Sequence, residues 1–463
     1  MITERLAAGP PIEAAIVAVG GRPGGFVLES AAKKLPGGRY SILGCDPVTT
    51  VCVEASDGAD PLAELRRAVE SYPRVAASPE LPFVGGWVGF ITYEAGLTIE
   101  GIRPSGRDDL NMPLLRFSLY DTAAVVDHAS GEWRVVAADV SAARPSAPAR
   151  LAIFERTLDG AASPPPFDGS QPVCERPESN MCFAEYAQKV RRIHEHILAG
   201  DVYQVNLAQR FSTTTAATPL ELYRRLRHAN PADYSAYLAC DATHAERARG
   251  ATSLRQAVLS ASPELFLDLR GERVVTRPIK GTRPRTGRSA LDEQRQRELQ
   301  FSEKDRAELN MIIDLLRNDL GRVCRYGSIR VESAGDLEEH PTVYHRVATI
   351  SGRLADGRDW YDLLRASLPG GSITGAPKIA ACKLINQLEP VRRDVYCGAI
   401  GYIGLDRSMC LNVAIRTMQL AGERLCLHAG GGIVADSDVD EEYAETVAKA
   451  AGMLRALGVA NAA

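Results

Sequence analysis

Between Phe26 and Val140 the chain alternates apolar and polar positions in short runs. FVLES from Phe26, RYSILG from Arg39, VTTVCVEA from Val48 and GEWRVVAADV from Gly131 are alternating or β-branched, with Gly and Pro between them, which predicts strands. Two Pro/Ser-rich stretches follow, from Ser141 and from Ala162, around one short helical piece, LAIFERTL. They read as a linker or as a crossover within one fold. The period then changes. Phe183, Tyr186, Val190, Ile193 and Ile197 recur at helical spacing up to Gly200, a helix with its stop. In VYQVNLAQRF, Tyr203, Val205 and Leu207 share one face of a strand, and Gln204, Asn206 and Ala208 the other. RVVTRPIKGTRPR predicts a strand from Arg273 that runs into a loop, with Lys280 at the strand's end. A long helix is predicted over 290–318 and a closing helix over 438–457, the latter after LCLHAGGGIV, a strand and glycine loop. Strands and helices mix without regular βαβ alternation and without an internal repeat. The expected class is therefore α+β, mainly antiparallel sheets with helices packed outside. Regions 1–165 and 180–458 read as two lobes of one intertwined fold.

Composition narrows the partners. The 463 residues are 45% hydrophobic and 24% charged with a net charge of −4, a globular balance that does not indicate a large nucleic-acid-binding surface. No apolar run approaches the roughly 18 residues of a membrane helix, and MITERLAAGPPIEAA lacks the apolar core of a secretory signal. The ten Cys are scattered without C-x-x-C, which suggests reduced thiols of a cytoplasmic protein. Lysine is scarce, 8 against 46 Arg, so a lysine within a motif draws notice.

In SEKDRAELNMIIDLLRNDLGR, Asp305 and Glu308 lie side by side next to the stripe Leu309, Ile312, Ile313, Leu316 and Leu320. In the closing helix Glu442, Glu445 and Lys449 share one flank of a second stripe. Two such acidic pairs on separate helices can meet across a cleft and hold one Mg²⁺; spacing alone equally describes two solvated faces, the commoner fate of charge runs. PGGSITGAPK from Pro369 and HAGGGIVAD from His428 are glycine-rich loops that can offer N–H groups to carboxylates or simply turn, and neither fits a P-loop. Lys280 in PIKGT, Glu264 in SPELF and His345 in VYHRV are isolated candidates for nucleophile or proton-transfer roles.

Together QVNLAQRF, SPELF, PIKGTRPR, EKDRAELNMIIDLLRNDLGR, PGGSITGAPK, CGAIGYI, NVAIRTM and HAGGGIVADSDVDEEYAET resemble the chorismate-utilising enzymes, in order over 183–455. That family comprises the anthranilate, aminodeoxychorismate, isochorismate and salicylate synthases. The resemblance implies a layered α/β/β/α sandwich with the cleft between its lobes. It assigns Glu308 and Glu445 to Mg²⁺, with Asp305 and Glu442 beside them, and Lys449 to the ring carboxylate of chorismate. It assigns Tyr402, Arg416 and the Gly430, Gly431 and Gly432 amides to the enolpyruvyl carboxylate, His345 and Thr374 to the ring, and Glu264 to general acid/base work at the C4 hydroxyl. Gln204 stands where water-using members carry lysine, which implies ammonia as the incoming nucleophile. Lys280, where anthranilate synthases read PIAGT, resembles the aminodeoxychorismate type, in which the lysine bonds covalently to the ring. The other readings are an anthranilate-forming enzyme and a catalytically silent sensor of chorismate or an amino acid. No glutaminase nucleophile segment is present, so a separate glutamine amidotransferase subunit is the expected ammonia source. Ser30, Tyr40, Pro231 and Tyr234 fall in segments that resemble the family's amino-acid pocket, a tryptophan site in anthranilate synthases. A polar stretch over 241–258 is expected to be an inserted surface loop near Glu264.

Overall fold

Residues that alternate along the sequence become two large sheets. The computed structural model describes residues 1–7, 9–31, 38–162, 164, 169, 171–240, 255–340 and 343–459. Among these, one sheet has twelve strands and the other ten. Both are sewn from both halves of the chain. Phe26–Glu29 pairs antiparallel with Tyr234–Ala239 in the first sheet, and Gly86–Ile91 pairs antiparallel with Ala399–Gly404 in the second. Regions 1–165 and 180–458 therefore do not form separate sheets.

The two sheets face each other across a core that includes Phe26, Phe83, Phe90, Tyr120, Leu238 and Tyr402. Helices cover the outer faces. Ile12–Gly20, Ala147–Asp159, Pro219–Ala229 and Val439–Ala456 pack on the first sheet, and Pro61–Glu70, Glu303–Gly321 and Trp360–Ser367 on the second. The result is the layered sandwich of antiparallel sheets expected above. No helix among the described residues is long and apolar enough to cross a membrane.

Three local expectations change. The helix expected over 290–318 is two, Ser289–Phe301 and Glu303–Gly321. Ser302 leaves helical geometry and its hydroxyl accepts from the Asp305 N–H, so it caps the second helix and stops the first. PIKGTRP is not a loop: Ile279–Pro284 is a strand of its own, split by Pro278 from Arg273–Arg277. Gly430, Gly431 and Gly432 lie inside the strand Arg424–Ile433, paired with Ala208, Leu207 and Asn206. A side chain at 432 would overlap the Gln204 amide, so glycine is there for close approach rather than for a turn. The stretch 241–258 lies outside the described residues up to 254, and its end enters the strand Gln256–Ser262.

Candidate active site

Lys280 is aimed by a bulge. Ile279 pairs with Val347 and Thr282 with His345, and the register slips between them, so Lys280 and Gly281 fall in the irregularity. Gly281 takes φ 84°, a left-handed conformation suited to glycine, and a Cβ there would press on Asp305 and Leu299. Lys280 Nζ lies 3.7 Å from Glu308 Oε2 with the side chain only 13% exposed. Asp305, on the capped first turn of the same helix, is held by Arg283 at 3.0 Å.

The closing helix brings the second set. Asp438 caps it by accepting from the Asp440 and Glu441 N–H groups. Lys449 Nζ lies 2.6 Å from Glu445 and donates to the Gly430 carbonyl at 2.9 Å, which ties the helix to the glycine strand. Glu442 is buried, accepts from Ser437 Oγ at 2.7 Å, and faces Lys304 at 3.5 Å. Since Lys304 belongs to the helix that carries Glu308, the two acidic helices meet here. Burial pushes Glu442 above the ordinary carboxylate range, with the Ser437 hydrogen bond and Lys304 opposing it. Burial acts the same way on Glu445, but Lys449, with Lys280 and Lys304 behind it, holds its carboxyl below that range.

Among the described residues, no three His, Cys, Asp or Glu side chains gather closely enough to hold a metal ion. The donor set still suits Mg²⁺: hard oxygens from two helices, of which Mg²⁺ takes one or two while keeping water and substrate oxygens.

Glu264 forms the floor. It is 4% exposed and accepts from Ser372 Oγ at 2.5 Å. Burial pushes its carboxyl up to about 7 against the opposing effects of Ser372 and Lys280. His345 is buried on the strand that pairs with Ile279–Pro284, its Nδ1 2.9 Å from the Thr282 hydroxyl. Burial, His340 and Arg416 hold its proton affinity well below the ordinary histidine value, so the ring is neutral. Thr374 is fully buried, donates to the Gly370 carbonyl at 2.9 Å, and its own carbonyl accepts from the Asn206 N–H at 2.8 Å. Gln204 is 1% exposed, and among the described residues neither its amide oxygen nor its amide nitrogen finds a hydrogen-bond partner.

Arg416 has φ 53°, left-handed for a non-glycine residue, and among the described residues no carboxylate pairs with it. Tyr396, not Tyr402, is the tyrosine that interacts with it. Tyr402 is placed elsewhere: its hydroxyl donates to the Pro82 carbonyl at 2.9 Å and its ring packs edge-on to Phe83 in the core between the sheets. Tyr396 stacks flat on His428, 5.0 Å away, next to the glycine strand. YCGAIGY offers two tyrosines, and the local sequence does not say which one the sheet–sheet core takes.

Sequence reasoning also missed Arg393. Its guanidinium is buried, bidentate on Glu389, and donates to the Ile373 carbonyl at 3.1 Å and the Asn206 carbonyl at 2.8 Å. It fastens the Thr374 loop to the Gln204 strand. The doublet ArgArg at 392–393 was readable as charge, but its burial was not.

Of the residues in the segments that resemble the amino-acid pocket, Ser30 Oγ is buried without a hydrogen-bond partner among the described residues, and a Cβ at Gly38 would touch both it and Asp233 Oδ1. Burial and Glu338 push Asp233 up to about 7, against Arg277. Tyr40 lies under the Arg39 guanidinium at 4.8 Å, and the Tyr234 carbonyl accepts from Asn412 at 2.8 Å. Pro231 precedes them at intermediate burial.

Comparison with known proteins gives the family. The chorismate binding enzyme family model matches residues 26–455. Aminodeoxychorismate synthase component 1 of Salmonella typhimurium is 38% identical over 94% of this chain and 93% of its own. Anthranilate synthase component 1 of Streptomyces coelicolor is 38% identical over 98% and 87%. The crystal structure of anthranilate synthase component I from Streptococcus pneumoniae superposes with a TM-score of 0.76 at 31% identity, over 91% of this chain and 93% of that one. The chain is a chorismate-utilising enzyme: it belongs to the chorismate binding enzyme family.

Proposed function

We propose that this member aminates chorismate with ammonia to give 4-amino-4-deoxychorismate, a step towards 4-aminobenzoate and folate, through a transient bond to Lys280. The observation that carries the proposal is the seat of the Lys280 amine. It is turned into the cleft by a bulge, 3.7 Å from Glu308 and among the charges acting on Glu264.

Glu308 and Glu445, with Asp305 and Glu442 beside them, would hold Mg²⁺, which when bound neutralises the ring carboxylate of chorismate. Arg416 takes the enolpyruvyl carboxylate with its planar fork, and Tyr396 completes that side. Lys449 takes the ring carboxylate, the Gly430–Gly432 amides help with the enolpyruvyl carboxylate, and His345 and Thr374 flank the ring. Once it has released its proton to solvent, the Lys280 amine forms a bond to C2 while the C4 oxygen leaves as water with the Glu264 proton. Ammonia then bonds to C4, the C2–N bond breaks, and the electron pair returns to Lys280. The surplus ammonia proton restores Glu264. Gln204 supplies an amide rather than an ammonium beside C2, so no group there activates water.

The relatives' designation as a component 1 supports a separate partner, for which a glutamine amidotransferase is the chemical fit. The Ser30, Asp233 and Tyr234 pocket is suited to an amino acid such as tryptophan, and the chain's composition suits the cytoplasm. The equal identity to the Streptomyces anthranilate synthase favours the alternative, anthranilate formation. Mass spectrometry of products from chorismate, ammonium and Mg²⁺ decides between them. Aminodeoxychorismate, with a Lys280 adduct absent from Lys280→Ala, is expected. Release of fluorescent anthranilate, or Mg²⁺-dependent chorismate binding without turnover, would overturn the proposal.

A further inference from the structure

Three lysines meet the cleft carboxylates one to one. Lys280 faces Glu308 at 3.7 Å, Lys449 faces Glu445 at 2.6 Å, and Lys304 faces Glu442 at 3.5 Å. Asp305 is neutralised separately by Arg283. Three ammonium groups against three carboxylates leave the cluster neutral before any ligand enters. A divalent cation alone would make it strongly positive, and a dicarboxylate substrate would restore balance.

The choice of residue matters in a chain with 46 Arg and 8 Lys. In two buried pairs that hold the fold, arginine grips both carboxylate oxygens, Arg393 on Glu389 and Arg210 on Asp109. Lysine is a point charge on a flexible stem and can let go. Of the three cleft lysines, Lys449 is also bonded to the Gly430 carbonyl, and Lys280 is buried. Lys304 has the most exposed side chain of the three, at 50%, and its contact with Glu442 is long for a charge-assisted hydrogen bond. Its carboxylate partner, by contrast, is 4% exposed and fixed by Ser437.

We infer that Lys304 is a displaceable counter-ion: it holds Glu442 while the cleft is free of metal, and turns to solvent when a divalent cation takes over that charge. Metal alone then binds weakly, and metal and dianionic substrate bind with positive coupling, which is reciprocal by linkage. The inference rests on the Mg²⁺ assignment made above.

The test is binding of Mg²⁺ to the full chain by titration calorimetry, with Mn²⁺ paramagnetic resonance as the second readout, without and with chorismate. Lys304→Gln should bind metal alone about tenfold tighter, ~1.4 kcal/mol, and gain less from chorismate. Lys304→Arg, with a firmer grip on Glu442, should bind metal alone more weakly than the wild type. A merely structural lysine would shift both variants the same way. Glu308→Gln separates the two layers. Glu308-dependent metal binding with Lys304→Gln no tighter than wild type overturns the counter-ion role alone. Metal binding unaffected by Glu308→Gln overturns the metal assignment, and the counter-ion role with it.

Discussion

Glu264 combines a catalytic assignment with a stability cost that can be measured independently. Its carboxyl is 4% exposed, and burial pushes it from 4.5 up to about 7 in the folded chain. Unfolded, the group loses its proton near 4.5; folded, it keeps it to about 7. Between those values the native state binds the extra proton, so stability falls as pH rises through that window and the cost is complete above it. The gap of about 2.5 pH units converts to ~3 kcal/mol at 1.36 kcal/mol per unit. Glu264→Gln keeps the shape and the acceptor for Ser372 but removes the charge. Its melting temperature should match the wild type at pH 4.5 and exceed it at pH 8. For a chain of 463 residues, at an unfolding entropy of ~2.1 cal/mol/K per residue, the gain is about 3 °C. Turnover should fall by roughly 10²–10⁴, the usual value of a positioned acid, and wild-type kcat/KM should decline above pH 7. Paired melts at the two pH values and steady-state kinetics check both halves. A stability difference that does not change with pH would refute the proton-affinity argument. A fully active Glu264→Gln would refute the acid.

Arg416→Lys replaces a bidentate fork with a point charge at a position without a carboxylate of its own, so KM for chorismate should rise about 10–100-fold with a smaller change in kcat, read from initial rates. Arg393→Met leaves Glu389 buried without its cation. Urea unfolding should show a loss of about 3–5 kcal/mol, and kcat should fall because the Ile373 and Asn206 carbonyls lose their shared donor.

The helices of the site were legible because their apolar stripes are periodic. Leu309, Ile312, Ile313, Leu316 and Leu320 are all buried, which fixes where Asp305 and Glu308 must flank them. The helix break at Ser302 was also readable, since a serine three residues before Asp305 carries a capping signal. What local pattern could not supply was pairing. Nothing in PIKGT distinguishes a strand that ends at Lys280 from one that bulges there; the partner His345 lies 63 residues beyond Thr282 and sets the slip. The same holds for Tyr396 and Tyr402. Both are aromatic in one short segment, and only packing against Phe83 and the Pro82 carbonyl assigns the second to the core.

Three costs fall in one place. Among the described residues, Gln204 buries an amide with no hydrogen-bond partner and Arg416 holds a left-handed backbone with no carboxylate paired to it, and Glu264 is kept in an environment that disfavours its charge. An unsatisfied buried polar group costs about 1–3 kcal/mol, and a strained φ a similar amount. Leucine at 204 or 264 would meet the packing needs of either sheet without these penalties. The core pair Arg393–Glu389 is bonded on both carboxylate oxygens, so the fold can satisfy a buried charge. A ligand with a hydrogen-bonding ring substituent, a carboxylate and a departing oxygen would give the Gln204, Arg416 and Glu264 side chains each a partner, and that is the functional-group inventory of chorismate.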